Sequence, residues 1–127
     1  MPREPIPEDL RRFILTSVPS VPFVEALLIF REAQGTPVTI DLLARRLYMG
    51  ERNAAEIVGQ LRSSRLIEPV EGAGGHRYAP APELADMIEQ LAHFYRTQLV
   101  DVTDLIHSKT GRMAQQFADA FKLRRDS

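Results

Sequence analysis

The sequence contains no cysteine, which excludes disulfide staples, thiolate metal ligands and a cysteine nucleophile, and is compatible with a reducing compartment. It has no long apolar run. The longest such stretch, near Val24 to Phe30, is interrupted by Glu25 and is far too short to cross a bilayer. The start, Met1-Pro2-Arg3-Glu4-Pro5, lacks the apolar core of a signal peptide. A soluble, cytoplasmic protein without membrane association is expected. A surplus of positive charge is missing too. The formal net charge is -1, whereas nucleic-acid binders usually carry a basic excess that neutralises phosphates and releases counterions. From 39 to 79, Arg45, Arg46, Arg52, Arg62, Arg65 and Arg77 stand against Asp41, Glu51, Glu56, Glu68 and Glu71, so six minus five leaves +1.

Signs of catalysis are scarce as well. No nucleophile motif and no carboxylate pair in a recognisable setting is present. Gly72-Ala73-Gly74-Gly75 is not a phosphate loop, because a strand rather than a helix should follow it. Asp101, Asp104 and His107 lie three apart on a predicted helix but drift around it, and no fourth ligand is evident, so a polar face explains them better than a metal site. His93 reads as a surface or interface histidine rather than a base. Neither an enzyme, a cofactor nor a metal is expected.

What is present is an ordinary globular composition: 127 residues, 44% hydrophobic and 26% charged, enough for one compact domain over 1–127. Ile6, Leu10, Phe13 and Ile14 recur at helical spacing behind Pro7, Glu8 and Asp9, which suit a helix N-terminus. Ser20 can cap a second helix, and Phe23 to Phe30 is apolar on nearly every side, as a central helix should be. Pro37-Val38 allows only a brief extended segment. Thr39 then caps a third helix with Ile40, Leu43, Ala44 and Leu47 on one face. After the turn Tyr48-Met49-Gly50, a fourth runs from about Glu51 to Ser64 with Ala54, Ile57, Val58 and Leu61 inward. Leu66 to Glu71 and His76 to Ala79 are extended around a glycine-rich loop, which reads as a two-stranded β-wing.

From Pro82 to about Ser108 there is no further glycine or proline. Leu84, Met87, Ile88, Leu91, Phe94, Tyr95, Leu99, Val102, Leu105 and Ile106 keep a helical stripe there, for about seven turns. A helix of roughly 40 Å outreaches its own small domain and calls for a partner along its far half. Thr110-Gly111 interrupts it. Met113, Phe117, Ala120 and Phe121 predict a last short helix before the basic Lys122-Leu123-Arg124-Arg125. The expected fold is mainly α: a winged helix-turn-helix core over 21–80 with its two-stranded β-wing, a helical dimerisation extension over 82–127 carrying the long C-terminal helix, and short terminal helices.

The run Leu43-Ala44-x-x-Leu47-x-Met49-x-x-x-x-Ala54-x-x-Ile57, continued through Val58, Leu61, Leu66-Ile67 and the hairpin ending His76-Arg77-Tyr78, resembles the MarR-like winged helix-turn-helix transcriptional regulators of bacteria. The resemblance is detailed over roughly Phe23 to Tyr78 and topological for the outer helices, through which such regulators commonly dimerise. Two positions depart from it. Gly50 stands where a capping serine is frequent, and Arg65 where a glycine commonly ends the recognition helix.

The resemblance implies a homodimeric, sequence-specific regulator of transcription that binds double-stranded DNA. On the fourth helix Arg52, Asn53, Glu56, Gln60 and Ser63 face away from the core, where Arg52 can read guanine, Asn53 or Gln60 adenine, and Glu56 cytosine. The small Ala55 and Gly59 allow close approach. His76 and Arg77 lie on the wing, where similar regulators direct a basic side chain to the minor groove or the backbone. Arg45 and Arg46 could touch phosphates. Leu84, Ile88, Leu91, Phe94, Tyr95, Leu99, Val102 and Leu105 would form the dimerisation stripe. An alternative is a winged-helix protein–protein adaptor without DNA binding, favoured by the near-neutral charge and the acids on the reading face. The sequence identifies no small-molecule effector.

Overall fold

A computed structural model of the chain describes residues 4–72 and 74–108. The predicted helix over 113–121 and the basic run after it lie outside the described residues. Helix α1 (Glu8–Ser17) opens behind Pro7 with Glu8 and Asp9 in its first turn, acids where the helix dipole favours them, and buries Leu10 and Ile14. After a bend of 111°, helix α2 (Val21–Glu32) starts at Ser20, whose hydroxyl accepts from the Phe23 N–H at 3.3 Å. Phe23, Val24, Ala26, Leu27 and Phe30 are all buried, as the apolar surround of that segment predicts. No single helix among the described residues is long and apolar enough to cross a membrane.

Helix α3 (Ile40–Arg46) is capped by Thr39, whose Oγ1 accepts from the Leu42 N–H at 3.1 Å, and buries Leu43 and Ala44. Helix α4 (Glu51–Ser63) packs across α3 and α2 through the buried Ala54, Ile57, Val58 and Leu61. Gly50 precedes it without a side-chain cap, so the predicted departure at this position is real. Strands β1 (Ile67–Val70) and β2 (Gly75–Tyr78) form the antiparallel wing, pairing Ile67 with Tyr78 and Glu68 with Arg77. Val38 adds a single bridge to the other side of β2, exchanging both backbone hydrogen bonds with His76 at 2.7 and 3.1 Å. The strand β2 is therefore inner, not an edge.

Helix α5 (Pro82–Thr97) begins with a proline in its first turn and buries Ile88, Leu91 and Phe94. Its continuation differs from the sequence reading. Gln98 leaves the helical region at φ -137 and ψ 56, and the helix resumes as α6 over 99–108. The break has a local cause. The Thr97 hydroxyl donates to the His93 carbonyl at 2.8 Å, and Thr is a poor helix former that competes for backbone groups. The Gln98 side-chain amide donates to Asp101 at 3.1 Å, and the Gln98 backbone carbonyl accepts from the Val102 N–H at 3.2 Å, so Gln98 starts α6. Val102 and Ile106 are consequently buried in the same core as α2 and α5. The expected single helix of some seven turns is two helices, and its far half packs on its own chain.

The end of α4 explains how the fold manages without a glycine at position 65. Arg65 adopts φ 63, its N–H donates to Arg62 at 3.0 Å, and the Leu66 N–H reaches back to Leu61 at 3.1 Å. This is the paired bonding of a Schellman termination, closed by the buried Leu61 and Leu66. An L side chain in this region is strained. We expect Arg65→Gly to stabilise the fold by about 0.5–1 kcal/mol, read as a rise in the urea midpoint without a change in slope. Gly75 answers to the opposite constraint. A Cβ there would lie 2.9 Å from the Val38 carbonyl oxygen, so Gly75→Ala must force the Val38 bridge apart. A loss of about 1–3 kcal/mol is expected, and an unchanged midpoint would refute this account.

Candidate functional site

The outward face of α4 is laid out by its periodicity. With Ala54, Ile57, Val58 and Leu61 inward, Glu51, Arg52, Asn53, Ala55, Glu56, Gly59, Arg62 and Ser63 are exposed and Gln60 is half-buried. The Arg52–Glu56 ion pair that the i, i+4 spacing allows does not form among the described residues. Part of this face also borders an open groove. Glu56, Gly59, Gln60 and Ser63 line a cleft of about 540 Å³ whose other wall is the α1–α2 corner: Thr16, Ser17, Pro19 and Phe23. Thr16 and Ser17 were not indicated by the sequence, since nothing local shows that the end of α1 meets α4.

Two cations expected at this site, Arg45 and Arg77, are held by neighbouring acids, as is the nearby Arg65. Arg45 donates to Asp41 one turn earlier on α3 at 2.7 Å. Arg77 donates through Nε to Glu68 at 2.6 Å across the wing. Arg65 donates to Glu83 at 3.2 Å. Arg46, Arg52 and Arg62 are exposed and enter no ion pair among the described residues. The candidate set thus gains Arg62, which the sequence reading counted only as charge, and its wing arginine is neutralised.

His76 is placed differently from Arg77. Along β2 the exposed residue is Arg77, while His76 and Tyr78 share the other face. The His76 Nε2 is buried without a hydrogen-bond partner. Burial pushes its pKa down, and the nearby Arg62 guanidinium adds to this. The ring is half-buried with its Nε2 shielded, whereas Arg77 beside it is exposed.

Half of the stripe expected to join two subunits is buried within one chain. Ile88, Leu91 and Phe94 of α5 are buried in the core, and Val102 joins them beyond the break at Gln98. Leu84, Tyr95 and Leu105 are half-buried. The Tyr95 hydroxyl donates to Glu25 at 3.1 Å, and its pKa is pushed up to about 12, chiefly by burial and also by that carboxylate. Leu99 is 48% exposed, and beside it Val100, which the stripe did not include, is 61% exposed. Among the described residues no group of three His, Asp or Glu side chains is placed to hold a metal. Asp101 instead accepts from Gln98, and His93 contacts Glu4 at 3.0 Å.

No family model and no curated protein sequence matches the chain. Solved structures do. One is MepR, a transcription regulator of the Staphylococcus aureus multidrug efflux pump MepA, with 12% identity and a TM-score of 0.51, covering 90% of this chain and 89% of that one. Another is Rv1404 from Mycobacterium tuberculosis, with 16% identity and a TM-score of 0.50, covering 90% of this chain and 83% of that one. The fold is that of the MarR-like winged-helix regulators. At such identities the likeness concerns architecture, and the packing of α3 across α4 within it is what the inner-face pattern Leu43 to Leu61 encodes.

The state of His76 makes stability depend on pH in a definite direction. An unfolded histidine takes up its proton near pH 6.5, whereas the folded ring, held below its ordinary value, resists protonation. Below about pH 6.5 the unfolded chain therefore binds more protons, and this contribution to stability is lost as the pH falls towards the folded value. Thermal midpoints measured from pH 8 to 5 should fall less steeply for His76→Leu than for the parent chain. Parallel curves would show that the ring is not shielded.

Proposed function

We propose that this chain is a sequence-specific, DNA-binding transcription regulator that acts as a homodimer, with α4 in the major groove. The observation that carries the reading is the outward face of α4, where Arg52, Asn53, Glu56, Gln60 and Ser63 surround the small Ala55 and Gly59 on a helix anchored by a fully packed inner face. Those residue types present donors and acceptors suited to base edges. The MarR-like fold and the regulator MepR among its structural neighbours support it.

Arg52 is the proposed base reader, with Asn53 and Gln60 as its companions. Arg46 and Arg62 contribute phosphate attraction. Arg77 adds to this when the DNA backbone competes with Glu68 for its guanidinium. A second copy joins through Leu99 and Val100, with the half-buried Leu84, Tyr95 and Leu105 at the margins, and brings two modest basic patches onto successive half-sites. Bivalence offsets the low charge of each patch, because the second engagement occurs at high effective concentration.

A salt series of duplex-binding measurements with genomic fragments tests this. Retarded complexes containing two chains per duplex, weakening steeply with salt, are expected. Arg52→Ala should relax sequence preference at a cost of about 1–3 kcal/mol on the best site. Arg77→Ala should weaken all duplexes alike and by less, since its pair with Glu68 is given up on binding. Absence of any complex at low salt and micromolar protein would overturn the proposal. It would turn attention to the protein–protein adaptor, for which the neutralised wing is the favouring observation.

A further inference from the structure

Three helices of the module end on a non-glycine residue with left-handed backbone: Gln34 at φ 51, Tyr48 at φ 55 and Arg65 at φ 63. In this region the Cβ crowds the following carbonyl, and glycine or asparagine is the usual occupant. At Arg65 the side chain has an intramolecular partner, Glu83. The Tyr48 side chain has no hydrogen bond or ring contact among the described residues, and the residue is 95% exposed. The left-handed backbone itself is required there. The Met49 N–H donates to Ala44 at 3.0 Å and the Tyr48 N–H to Arg45 at 3.4 Å, which closes α3 and sets Gly50 as the residue before α4. Glycine would meet that requirement without strain. An aromatic ring adds strain, and its exposure to water gains nothing within the chain.

The ring's surroundings in the chain indicate what could use it. Arg46 precedes Tyr48 by two residues and Arg52 follows it by four, both exposed and neither ion-paired among the described residues. A phenol combines an apolar ring with a hydroxyl donor, which suits the sugar and phosphate of a nucleic-acid backbone flanked by arginines. We propose that Tyr48 is an anchoring contact to the DNA phosphodiester backbone, fixing the position of α4 in the groove without reading a base. This rests on the DNA-binding function proposed above. Strained residues persist where a partner makes use of them, and Tyr48 is the one of the three whose side chain is both large and unsupported.

The test compares the full chain with Tyr48→Gly, Tyr48→Phe and Gln34→Gly, the last relieving the same strain away from the proposed contact. Both glycine variants should raise the thermal midpoint by roughly 2–4 °C. Only Tyr48→Gly should weaken duplex binding, by about tenfold and equally on preferred and scrambled sequences. Tyr48→Phe, keeping the ring and losing the donor, should fall between. Binding by Tyr48→Gly within twofold of the parent chain would overturn the inference while leaving the DNA-binding function standing. So would a loss confined to the preferred sequence, which would make Tyr48 a base reader, or a lowered midpoint, which would give the ring a packing role. Failure of the parent chain itself to bind any duplex would remove both readings, and is distinguished by needing no variant.

Discussion

The packing of α2 is the constraint on which the rest of the structure depends. Five of its side chains, Phe23, Val24, Ala26, Leu27 and Phe30, are buried, so the helix can exist only with neighbours on most sides. Helix α4 and strand β2 both pack on it. At its rim Arg31 holds Glu89 of α5 through two hydrogen bonds of 2.8 and 2.7 Å, and Glu25 accepts from Tyr95 of the same helix. The Arg31–Glu89 pair lowers the carboxyl pKa through direct hydrogen bonding, partly opposed by burial. Helix α4, the wing and the C-terminal helices are thus referred to one apolar rod. The outward face of α4 follows from what its inner face must cover.

This dependence explains which parts were legible in the sequence. The inner faces of α3 and α4 are local periodic patterns, and Leu43, Ala44, Ala54, Ile57, Val58 and Leu61 are buried as the spacing requires. Thr39 and Ser20 cap as their positions predict, because capping is also local. What escaped is non-local or depends on weak signals. The bridge between Val38 and His76 joins residues far apart in sequence and requires the wing to exist first. The break at Gln98 has neither glycine nor proline to mark it, only Thr97 and a glutamine whose bonds to Asp101 and Val102 become favourable once α6 can bury Val102 and Ile106.

The candidate site was legible in residue identity but not in electrostatic state. Charge counting treated each arginine as available, whereas geometry assigns Asp41 to Arg45, Glu68 to Arg77 and Glu83 to Arg65. The wing pair had a readable cause. Counting outward from the loop between Val70 and Gly75 sets Glu68 opposite Arg77, and opposite charges in such a pair attract. A near-neutral total therefore conceals an uneven distribution, with Arg46, Arg52 and Arg62 on α3 and α4 in no ion pair among the described residues and the pairs placed around them.

The inward turn of His76 shows why fold and site cannot be separated here. Strand β2 alternates, so the register that exposes Arg77 to Glu68 must direct His76 towards the body of the protein. One residue of slip would exchange them, exposing the imidazole and burying a guanidinium. The register is fixed from both sides, by Ile67 opposite Tyr78 on β1 and by the Val38 bridge that Gly75 permits through its lack of a side chain. The same arrangement brings Arg62 of α4 close enough to disfavour protonation of His76. The glycine that lets the wing close on Val38 thereby also determines which wing side chain is exposed and which is half-buried near Arg62 of α4.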